Sequence, residues 1–137
     1  MKFKRVEHLG IAVRNIDVAK QVFEDVLGLS LKYEEELEPD DTKLAMYPVG
    51  ETYLELLQGT SDRAMTSKWL DQHGEGIWHM CLEVDDINGA LAELKQKGVK
   101  LLDEQPRDGH GGSLVAFVDP ESTSNIVIEL TQSAPRH

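Results

Sequence analysis

The sequence holds a single cysteine, Cys81. An intramolecular disulfide is therefore excluded, and a reducing compartment is the natural setting, so a cytoplasmic protein is expected. Positive charge is scarce: 14 Lys and Arg stand against 25 Asp and Glu, a formal net charge of -11. That sign disfavours the phosphate backbone of nucleic acids and the surface of anionic membranes, and neither is an expected partner. An anionic ligand would need Lys or Arg placed locally. Long apolar runs are missing too. No run of about 18 apolar residues exists to span a bilayer. The opening "MKFKRVEHLG" has no apolar core of a secretory signal. No segment is low in complexity. The glycine-rich "PRDGHGG" at 106–112 lacks the Lys-Ser/Thr ending of a phosphate-binding loop and reads as a turn between strands. What is present, 137 residues with 40% hydrophobic side chains, suits one domain, or two small fused ones, with a real core.

The chain repeats itself. With His8 set on His79, "HLGIAVRNIDVA" lies on "HMCLEVDDINGA", and Val13/Val84, Ile16/Ile87 and Ala19/Ala90 are identical. At the same offset "KLAMYP" meets "LVAFVD", with Ala45 on Ala116. Further on, "YLELL" matches "VIELT", Glu55 opposite Glu129, once the second copy is allowed three extra residues in its last connection.

Each copy reads as strand, helix, strand, strand, with room for one more strand after the helix. In 7–13 the apolar Leu9, Ile11 and Val13 alternate with His8, Gly10 and Ala12. Asn15 or Asp17 can cap the first helix, Gly28 ends it, and Val18, Ala19, Val22, Phe23, Val26 and Leu27 form its apolar stripe. In the second copy Asp86 is the cap, Gly98 the stop, and Ile87, Ala90, Leu91 and Leu94 the stripe. Further strands are expected at about 29–34, 43–48, 52–58, 99–103, 113–118 and 125–131. Between the copies, "TSDRAMTSKWLDQHG" reads as a short helix with Met65, Trp69 and Leu70 inward, His73 at its C-terminal end and Gly74 as its stop.

Four polar residues sit on the unexpected side of four strands. His8 and His79 each open the first strand of a copy, and Glu55 and Glu129 each lie in the last. If Leu54, Leu56, Ile128 and Leu130 face the helices, the two glutamates face the other way, with the histidines. Their neighbours there are small: Gly10, Ala12 and Cys81. A lone histidine at a strand start is ordinarily an edge residue. The same His and Glu recurring at matched places in two copies is harder to dismiss. Two imidazoles and two carboxylates make a reasonable shell for a divalent transition ion, balance its charge, and leave two octahedral positions open.

This pattern resembles the vicinal oxygen chelate (glyoxalase-like) superfamily, which includes glyoxalases, extradiol dioxygenases and fosfomycin-resistance proteins. The resemblance implies an α+β fold: two tandem βαβββ modules forming a curved mixed sheet around a metal site. The whole chain, 1–137, would be one such domain, its modules at about 5–59 and 76–132 joined by a short helical connection. The metal ligands it implies are His8, Glu55, His79 and Glu129, holding a divalent ion such as cobalt, zinc, nickel or manganese. Within the superfamily, "HLGIAV", "YLELL", "WHMCLEVDDI", "KGVKLLDEQPRDGHGG", "VAFVDP" and "VIELTQ" are most similar to the methylmalonyl-CoA epimerases. Two departures stand out. That family has paired histidines where this chain has Trp78 and His79, and alternation is expected to turn Trp78 away from the site. Where the family reads His-Pro-Lys with paired glycines before the last strand, this chain reads "VDPESTSNIVIEL".

The activity so implied interconverts the 2R and 2S epimers of an acyl-CoA thioester through a metal-stabilised enolate. Two open coordination positions suit the thioester and carboxylate oxygens, and bases on opposite faces move the proton. Glu129, or Glu55 in the symmetric place, can serve as one base. A further acid/base is implied on the strand around 43–47, where this chain has Lys43, with Tyr47 beyond, and no second base is assigned. Arg107 and His110 of the glycine-rich loop are available to the acyl-CoA arm, although His110 reads more simply as a turn residue. Cys81 reads as a packing residue. The alternatives are a glyoxalase I (lactoylglutathione lyase-type) isomerase and a non-catalytic small-molecule binder of the same superfamily. A homodimer is the assembly implied.

Overall fold

The computed structural model describes residues 1–135. The first βαβββ module comprises β1 (Phe3–Ala12), α1 (Ile16–Gln21), β2 (Tyr33–Leu37), β3 (Thr42–Val49) and β4 (Thr52–Gly59). A connecting helix, α2 (Met65–His73), leads to the second: β5 (Gly76–Val84), α3 (Ile87–Gln96), β6 (Arg107–Asp108), β7 (Leu114–Phe117) and β8 (Ile128–Gln132). The α+β class and the paired modules are those the sequence implied. By contacts the chain divides into two units. One is His8–Trp78; the other joins Met1–Glu7 to the residues from His79 onward. Among the described residues no helix is long and apolar enough to cross a membrane.

Strand order in the first unit is β2-β3-β4-β1, and in the second β5-β8-β7-β6. Each sheet is mixed in the same way. The first strand runs parallel to the last, β1 to β4 and β5 to β8, while the other pairings are antiparallel. One sheet face carries a helix. In the first unit Val13, Ile16, Ala45, Tyr47 and Leu56 form the buried cluster there, with Ala19 and Phe23 of the helical segment packed on it. In the second, Val84, Ile87, Ala90, Leu91, Ala116, Val118 and Leu130 do the same.

The helix starts follow from their caps. The Asn15 side chain accepts from the amides of Asp17 and Val18, and Asp86 accepts from Gly89. A further repeat joins each helix to the last strand of its module: the Ile16 amide donates to Gln58 Oε1 at 2.8 Å, and the Ile87 amide to Gln132 Oε1 at 3.0 Å. Amides left open by the first helical turn are thus satisfied twice over. Asn15→Ala is expected to lower stability by about 1 kcal/mol, seen as a lower urea midpoint at unchanged slope.

Several expectations need correcting. The first helix continues past Gln21 as a π-helical turn, Val22–Val26, with the Leu27 amide donating to Val22 O. Its buried line is Ile16, Ala19 and Phe23. Val18, Val22, Val26 and Leu27 lie exposed, Val26 by 75%. Met65 of α2 is exposed rather than inward, while Leu70 is buried as expected. Leu29 and Leu31 pack under the sheet as part of a connection, so the strand expected at 29–34 begins instead at Tyr33. The strand expected at 99–103 is reduced to a single bridge, Leu101 to Val118. There the Asp103 carboxylate accepts the Phe117 amide, and pairing resumes only at Arg107. The three extra residues of the second copy fall where expected, in the β7–β8 connection, which folds as a short 3-10 turn at Pro120–Ser122.

Candidate metal centre

Register fixes what each sheet presents on the face away from its helix. In the first unit His8 lies opposite Tyr53, Gly10 opposite Glu55 and Ala12 opposite Leu57, while Met46 faces Glu55 from β3. Opposed residues share a face, so His8, Gly10 and Glu55 stand together, away from Leu54 and Leu56. In the second unit Cys81 and Phe117 flank Glu129, and His79 precedes Cys81 by two positions on the same side.

The structure brings each histidine to the glutamate of its own module. His8 Nε2 is 3.1 Å from Glu55 Oε1, and His79 Nε2 is 3.2 Å from Glu129 Oε1. The His79 ring also meets Phe117 edge-on at 5.3 Å. The four residues are exposed by 1, 4, 4 and 7%, in chain order. Burial to that depth makes a carboxylate costly unless positive charge meets it, and a bound dication would supply that charge. The distances pass a second test. Two donor atoms bonded to one ion at about 2.1 Å and at right angles lie ~3.0 Å apart. Each His–Glu pair therefore has the spacing of neighbouring ligands without rearrangement, and an N,O donor set suits a borderline divalent ion.

The remaining candidates are placed as follows. Cys81 is fully buried. Lys43 is exposed and aligned with Gln58, on the face opposite Glu55. Tyr47 turns toward the helix, its hydroxyl donating to Glu24 at 2.8 Å; burial, then the bond to Glu24, holds its phenol well above the usual tyrosine range. Neither belongs to the Glu55 face. His110 Nε2 is 3.0 Å from Glu7 Oε1, and Glu7 is buried, so His110 sits in a structural pair. His73 ends α2, stacked on Trp69 at 4.6 Å.

Trp78 is half-buried and packs on the cluster of Leu44, Met46 and Leu57, the residues that flank Glu55 on its own face; along β5 it alternates with the buried His79. One charged residue of that face escaped the sequence reading: Glu35 of β2, half-buried and opposite Leu44. The alternation of "YEEEL", with Tyr33 and Leu37 inward, was the available signal.

Residues 7–117 match the model of the glyoxalase/bleomycin resistance protein/dioxygenase superfamily. The chain belongs to that family. It is 30% identical over 128 residues to the uncharacterized protein YqjC of Bacillus subtilis, covering 93% of this chain and 91% of that one. It is 29% identical over 133 residues to the mitochondrial methylmalonyl-CoA epimerase of Mus musculus, covering 96% and 75%. Among solved structures it resembles a variant of the Streptomyces coelicolor methylmalonyl-CoA epimerase in complex with 2-nitronate-propionyl-CoA, with TM-score 0.93 and 29% identity over 97% of this chain and 96% of that one.

Proposed function

We propose that the protein is a metal-dependent isomerase that interconverts the epimers of methylmalonyl-CoA, with His8, Glu55, His79 and Glu129 as one metal-binding set. The observation that carries this reading is the pair of buried His–Glu contacts, 3.1 and 3.2 Å, at matching places in two modules. The likeness to an epimerase bound to a nitronate supports it from the side of the substrate. A nitronate at C2 of propionyl-CoA has the planar C2 and the oxygen-borne negative charge of an enolate. A protein that accepts it is suited to proton abstraction between a thioester and a carboxylate.

A divalent ion held by these residues supplies Lewis-acid stabilisation of the charge that develops on the substrate's oxygens. The chain's own residues do the rest. The two histidines fix the site, and their burial keeps water from a nascent carbanion. Glu129, or Glu55 in the equivalent place, takes or returns a proton on one face of the substrate carbon. Assembly as a homodimer belongs to the same reading.

Proton NMR of methylmalonyl-CoA in D₂O, with protein and added cobalt, tests this directly. Loss of the α-proton signal that is catalytic in protein and abolished by a chelator is the expected result. No exchange with the ion bound would sink the epimerase reading, and isomerisation of a hemithioacetal, the glyoxalase I reaction, would be assayed next.

A further inference from the structure

Epimerisation with inversion needs two acid/base groups, one for each face of the reacting carbon. The metal-side carboxylates serve one face. The sheet face that carries Glu55 in the first unit is built from Tyr33, Glu35 and Leu37 of β2, Thr42, Leu44 and Met46 of β3, and Tyr53, Glu55 and Leu57 of β4. Most of this surface is apolar: Leu44, Met46 and Leu57 are its buried centre, with Tyr33, Leu37 and Tyr53 around them. Thr42 is committed locally, its hydroxyl donating to Asp40 O at 2.9 Å. Lys43 and Tyr47 face the other way. Glu35 is then the one carboxylate that β2 and β3 present beside Glu55.

Its place is specific. β2 lies two strands from β4, and Glu35 stands level with Leu57, two residues along β4 from Glu55, so the two glutamate backbones are ~12 Å apart at ordinary strand spacing and rise. Two glutamate side chains reaching over that span leave a gap on the scale of an acyl group. The neighbours on either side in sequence, Glu34 and Glu36, are exposed on the opposite face, and Glu34 is paired with Lys20. Only the middle residue of the acidic triplet is directed to the face with Glu55.

The second module sharpens the point. Leu44, which opposes Glu35, is the repeat equivalent of Val115, which opposes Arg107. Arg107 lies over the Phe117 ring, its Cζ 5.6 Å from the centroid. At one matched position, then, the two copies carry opposite functions: a group that can exchange a proton and a cation that cannot. The His–Glu pairs kept their identity in both copies while this position diverged. A substrate with one reacting carbon and one free carboxylate is itself unsymmetrical, and it needs such a difference.

We infer that Glu35 is the second acid/base of the epimerisation, an assignment that rests on the function proposed above. One carboxylate takes the α-proton, and the C–H electron pair passes to the thioester as an enolate. The carboxylic acid on the other face then donates its proton to the same carbon, giving the opposite epimer. The two groups end with exchanged protonation states, and proton exchange with solvent restores them. No oxidant or reductant enters.

The experiment separates epimerisation from α-proton exchange in the metal-loaded protein and its variants. Glu35→Gln should slow interconversion of the epimers by at least ~100-fold while one epimer still exchanges its α-proton with D₂O, through the remaining carboxylate. Metal stoichiometry should be that of the parent. Formate should restore interconversion to Glu35→Ala, which a merely structural role would not allow. Glu36→Gln, on the opposite face, should match the parent. If the parent is active and Glu35→Gln interconverts the epimers at a comparable rate, or loses its metal, Glu35 is not the second base. If the parent neither exchanges nor epimerises, the proposed function itself fails, and this role with it.

Discussion

His79→Ala, loaded with excess cobalt and desalted, will bind the ion at least about 100-fold more weakly than the parent, since removing even a group that only orients a ligand costs 10–100-fold. Metal analysis against protein concentration reads this directly. His8→Ala should lose as much, because the two histidines occupy matched positions and each lies within 3.2 Å of a buried carboxylate. Far-ultraviolet circular dichroism should change little: both imidazoles stand on the face away from the helices, outside the two principal apolar clusters. His73→Ala is the control, since that ring stacks on Trp69 at the end of α2. A stoichiometric ion in His79→Ala, with activity intact, would remove the site assignment.

Leu56→Ala will destabilise the protein by about 2–5 kcal/mol. Leu56 is fully buried among Val13, Ile16, Ala45 and Tyr47, and the cavity it leaves is walled by a rigid sheet and by the helix start. Val26→Ala truncates a residue of what looks, in sequence, like the core stripe of the first helix. Its cost should nevertheless stay within about 0.5 kcal/mol, because Val26 is 75% exposed. Urea unfolding of the two variants against the parent gives both values. Equal losses would mean that Val26 is covered in solution.

That contrast marks a limit of periodicity. In "IDVAKQVFEDVLG" the set Ile16, Ala19, Phe23 and the set Val18, Val22, Val26 both follow helical spacing. The sheet accepts only one: Phe23, within the π-helical turn Val22–Val26, seats against Tyr47 at 5.5 Å. The first edge strand was obscured for a related reason. Leu29 and Leu31 are the apolar residues, but the strand forms at Tyr33–Leu37, where pairing with β3 overrides the poor strand preference of three glutamates. Misplacing it hid Glu35. By contrast, Asn15, Asp86 and Gly98 were legible because caps and stops act locally. His8, Glu55, His79 and Glu129 were legible because the chain states the pattern twice. Gln58 and Gln132 are equally repeated, but a long-range bond to a helix amide leaves no local trace in sequence.

The division of β1 bears on the order in which the molecule can be made. Met1–Glu7 are synthesised before His8–Trp78, yet they belong with the unit completed by those from His79 onward. Their partners arrive late: Arg5 Nε is held by Glu83 at 2.6 Å and the terminal amine by Glu93 at 2.8 Å. A growing chain can assemble His8–Trp78 as soon as it emerges, while the seven residues ahead of it wait with open strand edges. Such waiting segments invite pairing with other chains. The charge on this one, Lys2, Lys4 and Arg5 in a chain of strongly acidic balance, keeps like segments apart until the second module exists to receive it.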